Sequence, residues 1–314
     1  IEGSHDFKLE VEDSELAPRY LGAVIENVEV KTSPDWLKNR LKAIGLSPIN
    51  NVVDITNYIL HGLGQPLHAF DADKIADKTV KVGTVEAGTK FKTLDNVERT
   101  LNGSEIIIKD GKDNPMCIAG VFGGSESGVS SETKTIFLES AYFNPVAIRK
   151  ASKLHGLNTD ASFRFERGVD PNNARTALTH AITLIQELAG GKLVGEILEH
   201  YPEKIKDHYV VFRYSKLDQI LGIKIHREKI KEILKSLDIQ ILNEIQNGLE
   251  LSVPVYRADV TREIDVIEEV LRIYGYNKID APKKISFTPV KLSFDDQDAL
   301  ENSWARTLQS NGFH

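Results

Sequence analysis

Between Thr79 and Leu138 the chain is punctuated too often to hold a long element. Four short apolar runs, Thr79 to Val85, Ile106 to Lys109, Met116 to Phe122 and Thr135 to Leu138, are separated by turn signals such as Leu101-Asn102-Gly103 and Asp113-Asn114-Pro115. Asparagine, aspartate and glycine accept the backbone angles that a tight reversal needs, so this stretch reads as a set of short strands.

Helical and mixed patterns bracket that strand-rich middle. Upstream, Val24 to Val30 alternates with period two and predicts a half-exposed strand. Ser33-Pro34-Asp35 then opens a helix with Trp36, Leu37, Leu41 and Ile44 at helical spacing, closed by Gly45, and a second apolar segment runs from Val53 to Leu63. Downstream, Asp170-Pro171 predicts a helix start, with Leu178, Ile182, Ile185 and Leu188 on one face until Gly190-Gly191. After Tyr201-Pro202 a compact unit of about 75 residues follows, small enough to be helix-turn-helix-like or winged. Its pattern is a strand at Tyr209 to Phe212, a segment from Lys216 to Leu221 and a helix from Arg227 to Leu237. A hairpin about Asn247-Gly248 and a last helix from Thr261 to Tyr274 complete it. Pro282 and Pro289 mark a linker, and a further helix is expected from Asp298 to Gln309. The fold class expected is α+β and multi-domain, with a mixed sheet in the first domain.

Composition removes several function classes. With 41% hydrophobic and 27% charged residues in 314, the chain is ordinary globular protein. No run approaches the roughly 20 apolar residues of a bilayer crossing. One cysteine, Cys117, permits no internal disulfide and fits a reducing compartment. A net charge of -7 means that any polyanion must be held by a local basic patch. The lone methionine, Met116, and the stop just after a starting helix fit a piece excised from a longer protein. Phosphate-loop, dinucleotide, zinc-protease, serine-hydrolase and dithiol signatures are absent.

Four segments carry chemistry. Asn50 to Tyr58 with Gly64 to Asp71 places Thr56, Asn57 and His68 at the edge of an apolar run. They read either as caps with a satisfied histidine or as a reactive cluster. Glu139 ends an apolar strand, where a carboxylate needs solvent or a specific donor. Arg149 to Arg167 counts five basic residues, Arg149, Lys150, Lys153, Arg164 and Arg167, against Asp160 and Glu166, which suits either phosphates or a solvated ion-paired face. Asp265, Glu268 and Glu269 share a helical face and want a cation, either Mg²⁺ or Arg272 with the helix dipole.

The strings Asn51-Val52-Val53-Asp54-Ile55-Thr56-Asn57-Tyr58, Gly64-Gln65-Pro66-Leu67-His68-Ala69-Phe70-Asp71 and Arg164-Phe165-Glu166-Arg167-Gly168-Val169-Asp170-Pro171 resemble the β subunits of bacterial phenylalanyl-tRNA synthetases, in order and spacing. The resemblance implies that residues 1–202 form the editing module, which hydrolyses tyrosine wrongly esterified to phenylalanine tRNA. It implies that residues 203–280 are the small domain that follows, and that 281–314 hold a linker and the truncated start of a catalytic-like domain. Positions matching Glu139 and Gly120 would meet the tyrosine hydroxyl, and Thr159 and Ala161 would shape the pocket. His68, with Thr56 and Asn57, would lie beside the ester, His68 orienting or deprotonating the attacking water. The basic run would meet the acceptor end of the tRNA. Asp259, Asp265, Glu268 and Glu269 would be associated with Mg²⁺ at the junction with an α subunit. The intact enzyme would pair two α and two β subunits in the cytoplasm and ligate phenylalanine with ATP, which is not bound here. The rival readings are a non-catalytic RNA-binding scaffold of the synthetase and a free-standing deacylase acting in trans.

Overall fold

The computed structural model describes residues 3–279 and 297–313. From the N-terminus come strand Lys8–Val11 (β1) and strand Arg19–Glu26 (β2), helices Asp35–Ala43 (α1) and Asn51–Leu63 (α2), then strands Leu67–Asp71 (β3) and Thr79–Gly83 (β4). A small hairpin, Lys90–Lys92 (β5) with Glu98–Thr100 (β6), precedes Ile107–Lys109 (β7), Pro115–Ile118 (β8), Phe122–Gly123 (β9) and Ile136–Tyr142 (β10). Helices Pro145–His155 (α3), Asp160–Phe165 (α4) and Asn173–Ala189 (α5) lead to strand Lys192–His200 (β11).

The organising element is an antiparallel sheet in the order β11-β2-β10-β3. Side chains alternate across it, so each strand feeds two cores. Leu21, Ala23, Ile25, Ile136, Leu138 and Ala69 face one way and pack with Leu37, Leu41, Ile55, Leu178, Ile182 and Ile185 of α1, α2 and α5. Tyr20, Val24, Phe70, Phe137 and Ala141 face the other way, into a core shared with the mixed sheet β1-β4-β7-β8-β9 and with Ile148 and Phe165. A sheet buried on both faces cannot show a polar alternation, and that displaces one expectation. The strand expected at Val24 to Val30 is instead Arg19–Glu26, which ends as Asn27 turns with φ 58°. Val28 and Glu29 donate their amides to Lys134 and Ala189 carbonyls from a loop.

Other boundaries moved for similarly local reasons. The helix expected to open at Asp170-Pro171 begins at Asn173. Pro171 offers its carbonyl to Arg19 Nη1 at 2.6 Å, which ties that residue to β2 before the helix starts. The run Met116 to Phe122 is two strands, because Gly120 reverses the chain between β8 and β9 with φ 64°. Asn50 does cap α2, accepting from the Val52 and Val53 amides, and Gly64 closes it in the left-handed region.

Farther along, His208–Arg213 (β12), Gly248–Val253 (β14) and Gln240–Ile245 (β13) form an antiparallel sheet in that spatial order. Helices Tyr214–Leu221 (α6), Arg227–Ser236 (α7) and Glu263–Tyr274 (α8) accompany it, and Phe212, Leu217, Ile230, Leu234, Leu251 and Val266 are buried. The chain divides into two units, Ile1–Ile273 and Tyr274–His314. The second carries helix Gln297–Ser310 (α9), while the linker read at Pro282 and Pro289 lies outside the described residues. Among the described residues no helix is long and apolar enough to cross a membrane.

Candidate active site

The register of the central sheet sets the site. β3 and β10 pair so that His68 lies directly opposite Glu139, and on the other side Glu139 faces Gly22 of β2. Directly opposed residues project to one face. His68 and Glu139 therefore share the face that looks toward the β8–β9 turn. A cavity of about 260 Å³ opens there, lined by Asn57, His68, Gly120, Glu139, Thr159 and Ala161, among others. Six of the seven residues expected in the editing pocket are thus brought together from β3, β10, α2, α4 and the β8–β9 turn. Thr56 is the exception: its hydroxyl donates to the Val53 carbonyl at 2.7 Å, one turn back along α2.

Glu139 is 5% exposed, and its carboxylate accepts from the Tyr20 hydroxyl at 2.6 Å through Oε2. Burial raises its pKa to about 7, opposed by the Tyr20 hydrogen bond. The donor that a buried carboxylate requires is therefore already partly supplied from within the protein. His68 packs edge-on against Phe70 at 4.5 Å between centroids. Its Nε2 is buried without a partner among the described residues, close to Gly123, where an added Cβ would come within 3.0 Å of the ring. An imidazolium needs both nitrogens solvated or bonded, so burial pushes this histidine down to about 4. At neutral pH it is uncharged.

Thr159 and Gly120 shape the walls. Thr159 caps α4, accepting from the Ser162 amide at 3.1 Å, and donates its hydroxyl to the Val121 carbonyl at 2.9 Å. It thus pins the start of α4 to the β8–β9 turn. Gly120 sits where a Cβ would come within 2.7 Å of the Phe165 ring and 3.1 Å of Ile148, so only glycine lets the turn close on α4. Asn57 is half-buried on α2, and its carboxamide has no hydrogen-bond partner among the described residues.

The basic run divides in two. Arg149, Lys150 and Lys153 are exposed on α3 and unpaired among the described residues. Arg164 is held by Asp160 and the ring of His61, while Arg167 pairs with Glu166 and lies 3.6 Å over the Phe163 ring. Those two are engaged locally before any phosphate arrives.

The acidic residues about α8 do not form a ready-made metal site. Asp265 accepts from the Thr261 and Arg262 amides and pairs with the Arg262 guanidinium at 2.9 Å. Glu269 lies between Arg257 at 3.0 Å and Arg272 at 2.7 Å. The arginines hold both carboxyls below their usual range. Asp259 and Glu268 are exposed, and no group of three metal-binding side chains gathers among the described residues.

Sequence reasoning missed Tyr20, and it passed over Phe165 and Cys117, which complete the lining of the cavity or its floor. The available signal for Tyr20 was its period-two spacing with Gly22 and Val24, obscured because β2 is buried on both faces. A larger hollow of about 700 Å³ lies beside β5 and β8, where Lys74, Lys90 and Lys92 are balanced by Glu98, Asp110 and Glu126. It holds none of the motif residues.

Comparison with known proteins covers most of the chain. Residues 16–190 match the B3/4 domain family, and residues 210–276 match the tRNA synthetase B5 domain family. The chain is similar to the phenylalanine–tRNA ligase β subunit of Bacteroides fragilis (strain YCH46), at 50% identity over 310 residues, covering 98% of this chain and 38% of that protein. The β subunit from Thermotoga maritima is 41% identical over 307 residues, with the same coverage of 98% and 38%. That from Porphyromonas gingivalis is 51% identical over 273 residues, covering 87% of this chain and 33% of that protein. The chain thus spans 33% to 38% of the length of these relatives. Among solved structures, an N-terminal fragment of the phenylalanyl-tRNA synthetase β-subunit from Pyrococcus horikoshii aligns with a TM-score of 0.40 at 16% identity, over 88% of this chain and 77% of that chain.

Proposed function

The chain belongs to the phenylalanine–tRNA ligase β-subunit family, and on that premise we propose that its cavity hydrolyses tyrosine esterified to phenylalanine tRNA. The observation that carries the reading is the single cavity that gathers Glu139, His68, Asn57, Gly120, Thr159 and Ala161. The task has a physical rationale. A pocket built for a phenyl ring rejects an isostere with one added hydroxyl by only about 10²-fold, a limit for which aminoacyl-tRNA synthetases are the standing example. A second pocket that bonds the hydroxyl can select for it, and a buried carboxylate is the acceptor such a pocket needs.

Hydrolysis adds water across the acyl C–O bond. The water oxygen bonds to the acyl carbon, the bond to the ribose oxygen breaks, and that oxygen leaves carrying a proton. In this reading the phenolic hydroxyl donates to Glu139, which sets the depth of the ring in the cavity. His68 orients the water as a neutral hydrogen-bonding group. Its Nε2 is buried beside Gly123 without a partner among the described residues. Asn57, with a free carboxamide at the rim, serves the ester carbonyl as a neutral donor. The exposed cations of α3 receive the phosphates of the acceptor end. The whole enzyme's ligation of phenylalanine with ATP belongs with an α subunit and lies outside these residues. A metal at α8 would need donors beyond those gathered among the described residues, because Asp265 and Glu269 are already paired with arginines.

The test is deacylation of Tyr-tRNA and Phe-tRNA, both on phenylalanine tRNA, by this chain. The tyrosyl ester is expected to disappear well above the buffer rate and faster than the phenylalanyl ester. His68→Ala is expected to slow it by roughly 10- to 100-fold. A chain that binds the tRNA yet leaves the tyrosyl ester at the buffer rate is an assembly scaffold, and the reading then fails.

A further inference from the structure

Tyr20 is fully buried, yet it spends its hydroxyl on one partner, the Glu139 carboxylate at 2.6 Å. The surrounding packing sets where that carboxylate lies on the sheet. Tyr20 sits one register step from Glu139, paired with Ala141, and its ring is set edge-on against Phe143 at 6.3 Å. Gly22, directly across from Glu139, is covered by Phe137, whose Cζ lies 2.1 Å from where a Cβ would be. The Glu139 side chain is therefore confined between Tyr20 and Phe137 on the sheet face. Oε2 is committed to Tyr20. Oε1 makes no hydrogen bond among the described residues, and Glu139 lines the cavity.

We propose that Tyr20 is the specificity-determining residue behind Glu139: by holding Oε2 it fixes the carboxylate so that Oε1 alone meets the phenolic hydroxyl of the bound aminoacyl group. The inference rests on the editing reading of the cavity. Tyr20 touches no substrate and acts through Glu139, so it is a positioning residue. Its donated hydrogen bond favours the charged carboxylate, which can only accept, over the neutral acid, which can also donate. Without it the carboxyl is free to rotate and to hold its proton, and the cavity floor loses its preference for a donor.

The other groups facing Glu139 leave this control to Tyr20. His68, opposite on β3, is uncharged at neutral pH, its pKa pushed down to about 4 by burial. Cys117 on β8 is a buried thiol whose pKa is pushed up by burial and by Glu139 itself. Asp160, at the cavity lip on α4, is paired with Arg164 at 3.1 Å. Glu139 itself titrates at about 7, with the Tyr20 hydrogen bond lowering it against burial.

The experiment measures kcat/KM of the whole chain on tyrosyl and phenylalanyl esters of phenylalanine tRNA from pH 5.5 to 9, a span of about 1.5 to 2 units either side of that value. Wild-type discrimination is expected to rise with pH as Glu139 ionises. Tyr20→Phe removes one oxygen and keeps the ring. It is expected to lower the tyrosyl-to-phenylalanyl ratio roughly 10- to 100-fold near pH 7, chiefly through KM. It is also expected to move the midpoint upward by about one unit. Glu139→Gln is expected to abolish the midpoint, and it keeps the proposal testable should Tyr20→Phe not fold. Carbon-13 NMR of the Glu139 carboxyl in the two proteins reads the same shift without turnover. An active wild type with Tyr20→Phe unchanged in ratio and midpoint overturns this proposal alone, as does a midpoint that survives Glu139→Gln. A wild type that hydrolyses neither ester overturns the editing reading, and the role of Tyr20 with it.

Discussion

Two titrating side chains face each other across β3 and β10, and their proton equilibria pull stability in opposite directions. Glu139 titrates at about 7 in the folded protein against an ordinary 4.5. The raised value means that the folded state binds the extra proton. Its contribution is fully present below pH 4.5 and is lost as pH rises through about 7. His68 titrates at about 4 against an ordinary 6.5, so its contribution is present above 6.5 and is lost as pH falls through about 4. Over the shared window the slopes oppose each other, and the wild-type stability curve is expected to be nearly flat there. Glu139→Gln should uncover a rise of about 2–3 kcal/mol from low to neutral pH, and His68→Asn a fall of similar size. Chemical denaturation at half-unit pH steps checks this. Parallel curves for wild type and both variants would show that neither group carries the shift assigned to it. The same residues show what the sequence could and could not disclose. Glu139 was legible as a carboxylate in need of a donor, but not that the donor is Tyr20, because strand register is decided by long-range pairing that leaves no local pattern. Within Asn50 to Asp71 most polar side chains serve the scaffold. Asn50 caps α2, Asn51 bonds the Glu29 and Leu188 carbonyls, and Asp54 accepts from Ser33 at 2.5 Å. Only Asn57 and His68 of that stretch turn polar groups to the cavity. The motif string therefore mixes scaffold residues with the two polar side chains that line the cavity.

At the scale of elements, the cavity depends on how α4 meets the β8–β9 turn. Short helices such as α4, six residues long, have little intrinsic stability and rely on caps and packing. Thr159 supplies both, as the cap to Ser162 and as the donor to Val121, so one hydroxyl holds the helix and the wall opposite it together. Thr159→Val keeps the shape and removes both bonds. It is expected to cost about 1–2 kcal/mol of stability and to loosen the cavity, so that discrimination between esters falls. Thr159→Ser retains the hydroxyl and should keep both properties near wild type. Equal behaviour of the two variants in thermal melts and deacylation would show that the hydroxyl is not the link. Element boundaries were read best where turn chemistry decides them, as at Gly64, Gly190 and the Asn247-Gly248 reversal. They were read least well where tertiary contacts decide them. β2 lies upstream of the alternating run, and α5 starts late because Arg19 claims the Pro171 carbonyl.

For the molecule as a whole, the proposed function sets an electrostatic problem: a chain of net charge -7 would have to capture a polyanion. Diffuse repulsion weakens with salt, while a local patch that releases counterions loses affinity with salt, so the two are separable by ionic strength. The candidates differ in availability. Arg164 and Arg167 are engaged with Asp160, His61, Glu166 and Phe163, and ordering them on phosphate would first break those contacts. Arg149, Lys150 and Lys153 project from α3 without a partner among the described residues. The three free cations, rather than all five, should therefore carry the salt dependence. Replacing Arg149, Lys150 and Lys153 together by alanine is expected to raise KM for the aminoacyl-tRNA and to reduce the log–log salt slope of capture by about 2, at roughly 0.7 per single-strand phosphate contact. Replacing Arg164 and Arg167 instead should change that slope by less than about 1 while lowering thermal stability through the lost local pairs. Filter binding across a salt series, read beside melting curves for both sets, separates capture from scaffolding. A slope that follows Arg164 and Arg167 rather than the α3 cations would move the RNA path away from α3 and onto α4.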